Sequence, residues 1–257
     1  MPIELHQIIL LCIAAFAAGF VDAIVGGGGL IQTPAALVIL GAHPVSAVLA
    51  TVKIPSFSGT AFAAAQYVKK VSIRWKLVAL LGSIAFLSAY AGSQLLLHVS
   101  NVFMKPVLLI VLSAVAVYTY SKKDFGQQRK QKTAPKNELL YSILISVVVG
   151  FYDGFIGPGT GSFFILLFIA FLGFDFLQAS AYAKLVNLAT NLGSITLFII
   201  HGKIIWLIAF PMAVSNALGG ILGAKIAIKK GNSFIRTFFL LIVIATLVRF
   251  AYDVFIK

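Results

Sequence analysis

Acidic side chains are scarce in this chain, with 7 Asp and Glu against 20 Lys and Arg in 257 residues. Charged residues of both signs make up 11% of it, against roughly 25% in an ordinary soluble domain. The polar surface that a water-soluble fold of this size needs is therefore missing. With 60% hydrophobic residues and a mean hydropathy of +1.03, the solvent is lipid. One cysteine, Cys12 in the first apolar stretch, excludes an internal disulfide and reads as a small buried residue. His6, His43, His98 and His201 stand near segment ends without metal-site spacing, so neither a metal nor a cofactor is expected. There is no GxxxxGK[ST] phosphate loop, no paired-acid or His/Glu metal motif and no activated nucleophile. These absences argue against ATP-driven pumping and against an intramembrane enzyme. No basic n-region precedes the apolar residues 7–25, so a cleaved signal peptide is not expected either.

The net charge of +13 would suit a nucleic-acid binder, but its distribution points elsewhere. The basic residues gather in three clusters between apolar stretches: Lys69, Lys70, Arg74 and Lys76; Lys122, Lys123, Arg129, Lys130, Lys132 and Lys136; and Lys225, Lys229, Lys230 and Arg236. Membrane topology produces that pattern, and no nucleic-acid partner is expected.

The strongest signal is internal. GFVDAIVGGGGLI from Gly19 recurs as GFYDGFIGPGTGS from Gly150, an offset of 131 residues that holds without a gap. Lys53 then matches Lys184, Trp75 matches Trp206, Gly92 matches Gly223 and Phe103 matches Phe234. A constant register through charged and tryptophan positions marks two copies of one unit. The division is repeat one at 1–120, a basic loop at 121–137 and repeat two at 138–257, all in a single membrane domain. Apolar segments fall at 6–25, 29–41, 45–68, 76–98 and 103–120, and again at 138–156, 160–173, 177–200, 204–224 and 234–256. Most suit a span of about 20 residues, whereas 29–41 and 160–173 are short and read as half-helices or re-entrant arms. The expected fold is all-α and polytopic, with about 8–10 transmembrane helices.

Five segments per half put all three basic clusters on one side. By the positive-inside rule that side is the cytoplasm, and both termini face outward. An odd number per half also inverts the second repeat relative to the first, an architecture of secondary transporters with the substrate held between repeats near the midplane.

Four ionisable residues lie inside the apolar segments as matched pairs, Asp22 with Asp153 and Lys53 with Lys184. A charge there costs about 2.5–3.5 kcal/mol on insertion scales, so its retention at both copies asks for a reason. The aspartates either hold a broken helix through its backbone N–H groups, pair with a lysine, or exchange a proton. The lysines either offer a compact positive charge to an anion or form internal ion pairs that only fasten the packing. Gly26, Gly27, Gly28 and Gly29 form one glycine run, and Gly157, Pro158, Gly159, Thr160 and Gly161 the other. Such runs break helices, and in lipid a break is tolerated only where protein encloses it or a wet cavity lies beside it. The following segment then starts with free N–H groups and a positive dipole end, which suits an anion. Gln32, Thr33, Thr160 and Ser162 supply further donors. Thr51, Ser56, Ser58 and Thr60 cluster near Lys53, while Asn187, Thr190 and Asn191 follow Lys184, with Asn187 and Asn191 on one helix face. Close helix packing for the glycines, interhelical hydrogen bonds for the amides and a belt position for Trp75 and Trp206 are the structural alternatives.

At GFVDAIVGGGGLIQTPAAL, GFYDGFIGPGTGSFF and AYAKLVNLATN, with its counterpart ATVK, the sequence resembles the TauE/SafE (TSUP) family of sulfite exporters and anion permeases. The likeness extends over essentially the whole chain. It implies a multi-pass transporter of the bacterial cytoplasmic membrane that moves sulfite, an organosulfonate or a related small anion, often outward. The glycine-motif residues, the two aspartates and the two lysines carry over by position as candidates for binding and translocation. The partners expected are a small inorganic or organic anion, membrane lipids and, if the chain drives uptake, H⁺ as coupling ion; oligomeric state stays open. A non-transporting membrane scaffold and a carrier of another solute are the rival readings, the second applying if each lysine is neutralised by an aspartate.

Overall fold

The structure is a computed structural model that describes residues 4–99 and 137–255, with side chains as far as residue 238 apart from those of residues 232 and 236. The predicted fifth segment, 103–120, and the basic loop apart from Asn137 lie outside the described residues. Those residues form helices without strands: α1 (Leu5–Val25), α2 (Gly29–Ile39), α3 (Val45–Tyr67), α4 (Trp75–His98), α5 (Glu138–Phe155), α6 (Thr160–Leu172), α7 (Phe176–Ile200) and α8 (Trp206–Phe255). Among the described residues six stretches are long and apolar enough to cross a membrane, namely α1, α3, α4, α5, α7 and the first part of α8. Large apolar side chains such as Ile13, Leu87, Val148 and Phe210 point outward, an arrangement that water would penalise and lipid accepts. Trp75 and Trp206 open α4 and α8 and are both exposed, as an interfacial belt requires.

Local chemistry sets the helix ends. Glu4 and Gln7 form a capping box at the start of α1, and the Asp175 carboxylate accepts the Gln178 N–H at the start of α7. Gly26 ends α1 in the left-handed region, at φ 77°. Pro55 lies inside α3 two residues past Lys53 and removes a rung of the backbone ladder beside it. The third basic cluster departs from expectation. Lys225, Lys229 and Lys230 lie on the continuing helix rather than in a loop after 224, and the break comes only at Gly231 (φ 72°). Lysine is a good helix former and its long stem carries the charge out to the interface, so the helix has no reason to end before the glycine.

The short helices fold back along their predecessors. The Gln7 side-chain amide near the start of α1 donates to Ile39 O at the end of α2, at 3.5 Å. In the other half the Tyr141 and Phe171 rings, at the start of α5 and the end of α6, have centroids 5.5 Å apart. Each half thus presents a hairpin with a glycine-rich tip, and the hairpins approach from opposite ends of α3. The α1–α2 hairpin opens near the start of α3, where Leu11, Ala36, Leu40, Val48 and Ile208 pack together. The α5–α6 hairpin opens near the end of α3, where Arg74, on the connection that follows it, pairs with Glu138. The helix α7 runs against α3, because Thr51 near the start of α3 receives the N–H of Ile205 beyond the end of α7, at 3.0 Å. Tyr67 at the end of α3 correspondingly lies under Lys184.

Contacts between the halves recur on exchange of the repeats. A Cβ on Gly92 would fall on the Phe151 carbonyl, and one on Gly223 would fall on the Phe20 carbonyl. Each of these pairs becomes the other when the 131-residue offset is applied. Backbone contact this close admits only glycine, so α4 against α5 and α8 against α1 are two copies of one interface.

The Arg74–Glu138 pair is bidentate, and Glu138 holds the guanidinium above its ordinary value, so Arg74 stays charged. Arg74 is nonetheless half exposed, and screening leaves such a pair about 0–1 kcal/mol. Thermal unfolding of purified Arg74→Ala in detergent is expected to differ little from the native protein. A loss of several kcal/mol would mean that this end of the bundle is held by that pair.

Candidate functional site

The two glycine tips meet in the centre of the molecule. The Ser162 N–H donates to Gly26 O at 3.0 Å, and the Ser162 hydroxyl donates to Val25 O at 2.8 Å. A Cβ on Gly161 would lie 2.7 Å from Gly26 Cα, so the tips touch backbone to backbone. Gly26 and its repeat counterpart Gly157 both have positive φ, 77° and 95°, which turns each chain out of its first helix. Beside the junction lies a cavity of about 40 Å³. A single water needs roughly 10–15 Å³ on that measure, so the space suits a solute of a few heavy atoms.

Twelve of the residues singled out in the sequence line this cavity: Asp22, Gly26, Gly29, Thr33, Lys53, Asp153, Gly157, Gly159, Thr160, Gly161, Asn187 and Asn191. The other five stand behind it. Gly27 lies close to the Ser162 hydroxyl, and Gly28 packs against α1 with its N–H 3.4 Å from Asp22 Oδ1. Gln32 donates to Val52 O at 2.8 Å and accepts from Asn216 at 2.7 Å, tying α2 to α3 and α8. Ser162 fastens the tips, and Lys184 sits buried behind Asp22.

The charges are crossed between halves. Lys53 of repeat one places its ammonium 2.8 Å from Asp153 Oδ2 and donates to Asp153 O at 2.6 Å. Lys184 of repeat two lies 3.7 Å from Asp22 Oδ2 and donates to Asp22 O at 2.6 Å. Each lysine therefore crosses to the break in the other hairpin, and each aspartate presents both its carboxylate and its main-chain carbonyl. Formally the four charges sum to zero. Lys53 has three N–H directions and makes one hydrogen bond to Asp153, to its main-chain O, so donor capacity is left for the cavity it lines. Among the described residues the N–H groups of Gly29 and Gly161, both on the lining, have no protein acceptor, so they add two donors at helix N-termini.

The two pairs are not equivalent. Asp153 is held tightly, with Thr160 Oγ1 at 2.7 Å from Oδ1 and Lys53 at 2.8 Å from Oδ2. Asp22 is held loosely, by Thr60 at 3.3 Å, the Gly28 N–H at 3.4 Å and Lys184 at 3.7 Å. Its side chain keeps 18% of its surface open, against 4% for Asp153.

Sequence reasoning grouped Ser56 and Thr60 near Lys53 without assigning them to binding, and both line the cavity. The repeat carries the signal, since the 131-residue offset maps them onto Asn187 and Asn191, four apart on the same stripe as the lysine. The apolar lining by Leu49, Val52 and Ile156, and the strut from Asn216, left no such trace.

Comparison with known proteins places this geometry. The family described as sulfite exporter TauE/SafE matches residues 11–250. A probable membrane transporter protein of Haemophilus influenzae is 34% identical over 98% of both chains. The probable membrane transporter protein YfcA of Escherichia coli K12 is 32% identical over 95% of this chain and 89% of its own. The probable membrane transporter protein ORF9 of a Sinorhizobium species is 32% identical over 96% and 94%. No solved structure matches. A multi-pass helical chain aligned almost end to end with these transporters belongs to the TauE/SafE family.

Proposed function

We propose that this chain is a secondary transporter that carries a small anion across the bacterial cytoplasmic membrane through the junction of its two glycine tips. The observation that carries the reading is the convergence on one small cavity of the spare Lys53 N–H direction and the free N–H groups of Gly29 and Gly161. Such donors, at a break that lipid would otherwise forbid, suit an acceptor-rich anion. The family description makes a sulfur oxyanion such as sulfite, or a small sulfonate, the first candidate, and the volume of about 40 Å³ suits one. Hairpins entering from opposite ends support inverted halves that open in turn. With the basic end in the cytoplasm and the termini outside, a negative-inside potential drives an anion outward by about 2.3 kcal/mol per charge per 100 mV. Export then needs no ATP.

The zero formal charge of the four buried groups favours a second reading, a carrier of a neutral solute or a cation. Flux from proteoliposomes loaded with sulfite, thiosulfate, sulfate or methanesulfonate separates the two. Efflux of one of them that rises with an imposed potential is the expected result. Flux of neutral solutes or cations, with none of the anions moving, would sink the anion reading.

A further inference from the structure

The sequence duplicates the buried aspartate, and the structure gives the two copies different surroundings. Asp153 has a short hydrogen bond on Oδ1, the Lys53 ammonium at ion-pair distance, 2.8 Å, from Oδ2, which accepts no hydrogen bond, and almost no open surface. Asp22 has only long ones and an opening onto the cavity. A carboxylate held at 3.3–3.7 Å by every partner loses little when it is neutralised, whereas one held at 2.7 and 2.8 Å loses both contacts. We infer that Asp22, and not Asp153, is the group that takes up and releases a proton during transport, and that its protonation is what admits the anion. This rests on the anion reading above.

The charge balance gives the reason. The titratable and charged groups around Asp22 are Lys184 on α7, Tyr67 and Lys53 on α3, and Asp153 on α5. The helices α2 and α6 bring none, and the described α8 lysines sit on its exposed side. With both aspartates ionised the site is neutral. When a proton from solution adds to Asp22, with Lys184 and Lys53 still ammonium, the site carries one positive charge. Anion and proton then favour one another's binding reciprocally. A proton travelling with a monovalent anion cancels the charge moved, so potential-driven export implies a dianion.

The surroundings differ on the basic side as well. Tyr67 donates to Ala23 O, next to Asp22, at 2.9 Å. The Ser180 hydroxyl lies beside Tyr67 and is fully buried. The 131-residue offset replaces these two hydroxyls by Phe198 and Leu49 near the Lys53–Asp153 pair.

Infrared difference spectra of the purified protein between about pH 8 and about pH 5 test this, because a newly protonated carboxyl shows its own C=O band. The native protein is expected to gain a band that Asp22→Asn loses and Asp153→Asn keeps. Methanesulfonate and sulfate, which do not titrate in this range, are expected to move the midpoint of that band upward. Their affinity should rise by up to about tenfold per pH unit on acidification, and Asp22→Asn should bind them independently of pH. A band that survives in Asp22→Asn, or is missing from the native protein, overturns the assignment. If the Asp153 variant fails to fold, the native and Asp22→Asn spectra still decide. A band assigned to Asp22 that no anion shifts would leave the proton site standing and overturn its link to the anion.

Discussion

Lys53→Gln is expected to destabilise the protein severely, and adding Asp153→Asn is expected to restore most of the loss without restoring transport. Removing the lysine strands the Asp153 carboxylate, which is nearly closed to solvent and 2.8 Å from the lost ammonium. Breaking one member of a buried pair costs about 3–5 kcal/mol, because the remaining charge keeps its desolvation penalty without its partner. Replacing both removes that penalty. In the double variant the new asparagine side chain can still accept the Thr160 hydroxyl, and the new glutamine keeps an amide donor near the main-chain carbonyl that Lys53 reaches in the native protein. Thermal unfolding in detergent is expected to show a coupling energy at the upper end of the usual range of about 0.5–3 kcal/mol for residues in contact. Flux measured on the native protein, the two single variants and the double variant then separates packing from function. A double variant that folds but has lost tenfold or more of its anion flux makes the Lys53 ammonium part of the pathway. A double variant that transports like the native protein makes the pair a fastening, and moves the anion site to the glycine N–H groups alone.

The four charges were legible in the sequence because lipid makes each one expensive and because the repeat names each twice. Their wiring was not. Nothing local tells Lys53 to choose Asp153 over Asp22, since the choice depends on which hairpin tip reaches which helix across a separation of 100 residues. The short second segments were legible as too short to span, from length alone. Their return along α1 and α5 is a tertiary fact that shows in the Gln7–Ile39 and Tyr141–Phe171 contacts. The ninth segment reads as ending at 224 because lysines resemble the end of a span, whereas the helix tolerates them as far as Gly231. Asn216 was invisible because its repeat counterpart is Ala85, so the comparison between halves that revealed the other site residues had nothing to offer there.

The glycine runs look uniform in sequence, yet substitution should grade them steeply. Gly26→Ala is expected to be the most damaging. Its φ of 77° strains any residue with a Cβ by about 1–2 kcal/mol. The added methyl would also lie 2.7 Å from Gly161 O and closer still to the backbone behind it, where neither tip has room to retreat. Overpacking of that kind adds about 1–3 kcal/mol. Gly157→Ala meets the same strain at φ 95°, but its nearest neighbours lie 3.2 Å away at Asp153 O and 3.3 Å away at Lys53 Nζ, and the lysine end can shift. Gly202→Ala, at φ 60° with open space around it, carries the strain alone. Gly27→Ala, next to the worst site, meets nothing nearer than the Ser162 hydroxyl at 3.5 Å and should be tolerated. Melting temperatures and anion flux of the four variants should therefore fall most in Gly26→Ala, less in Gly157→Ala and Gly202→Ala, and least in Gly27→Ala. If Gly26 and Gly27 behaved alike, the run would be serving general helix packing and the tips would not touch. A loss confined to Gly26 would show that the contact between the two breaks holds the halves together, at the point where the solute must pass.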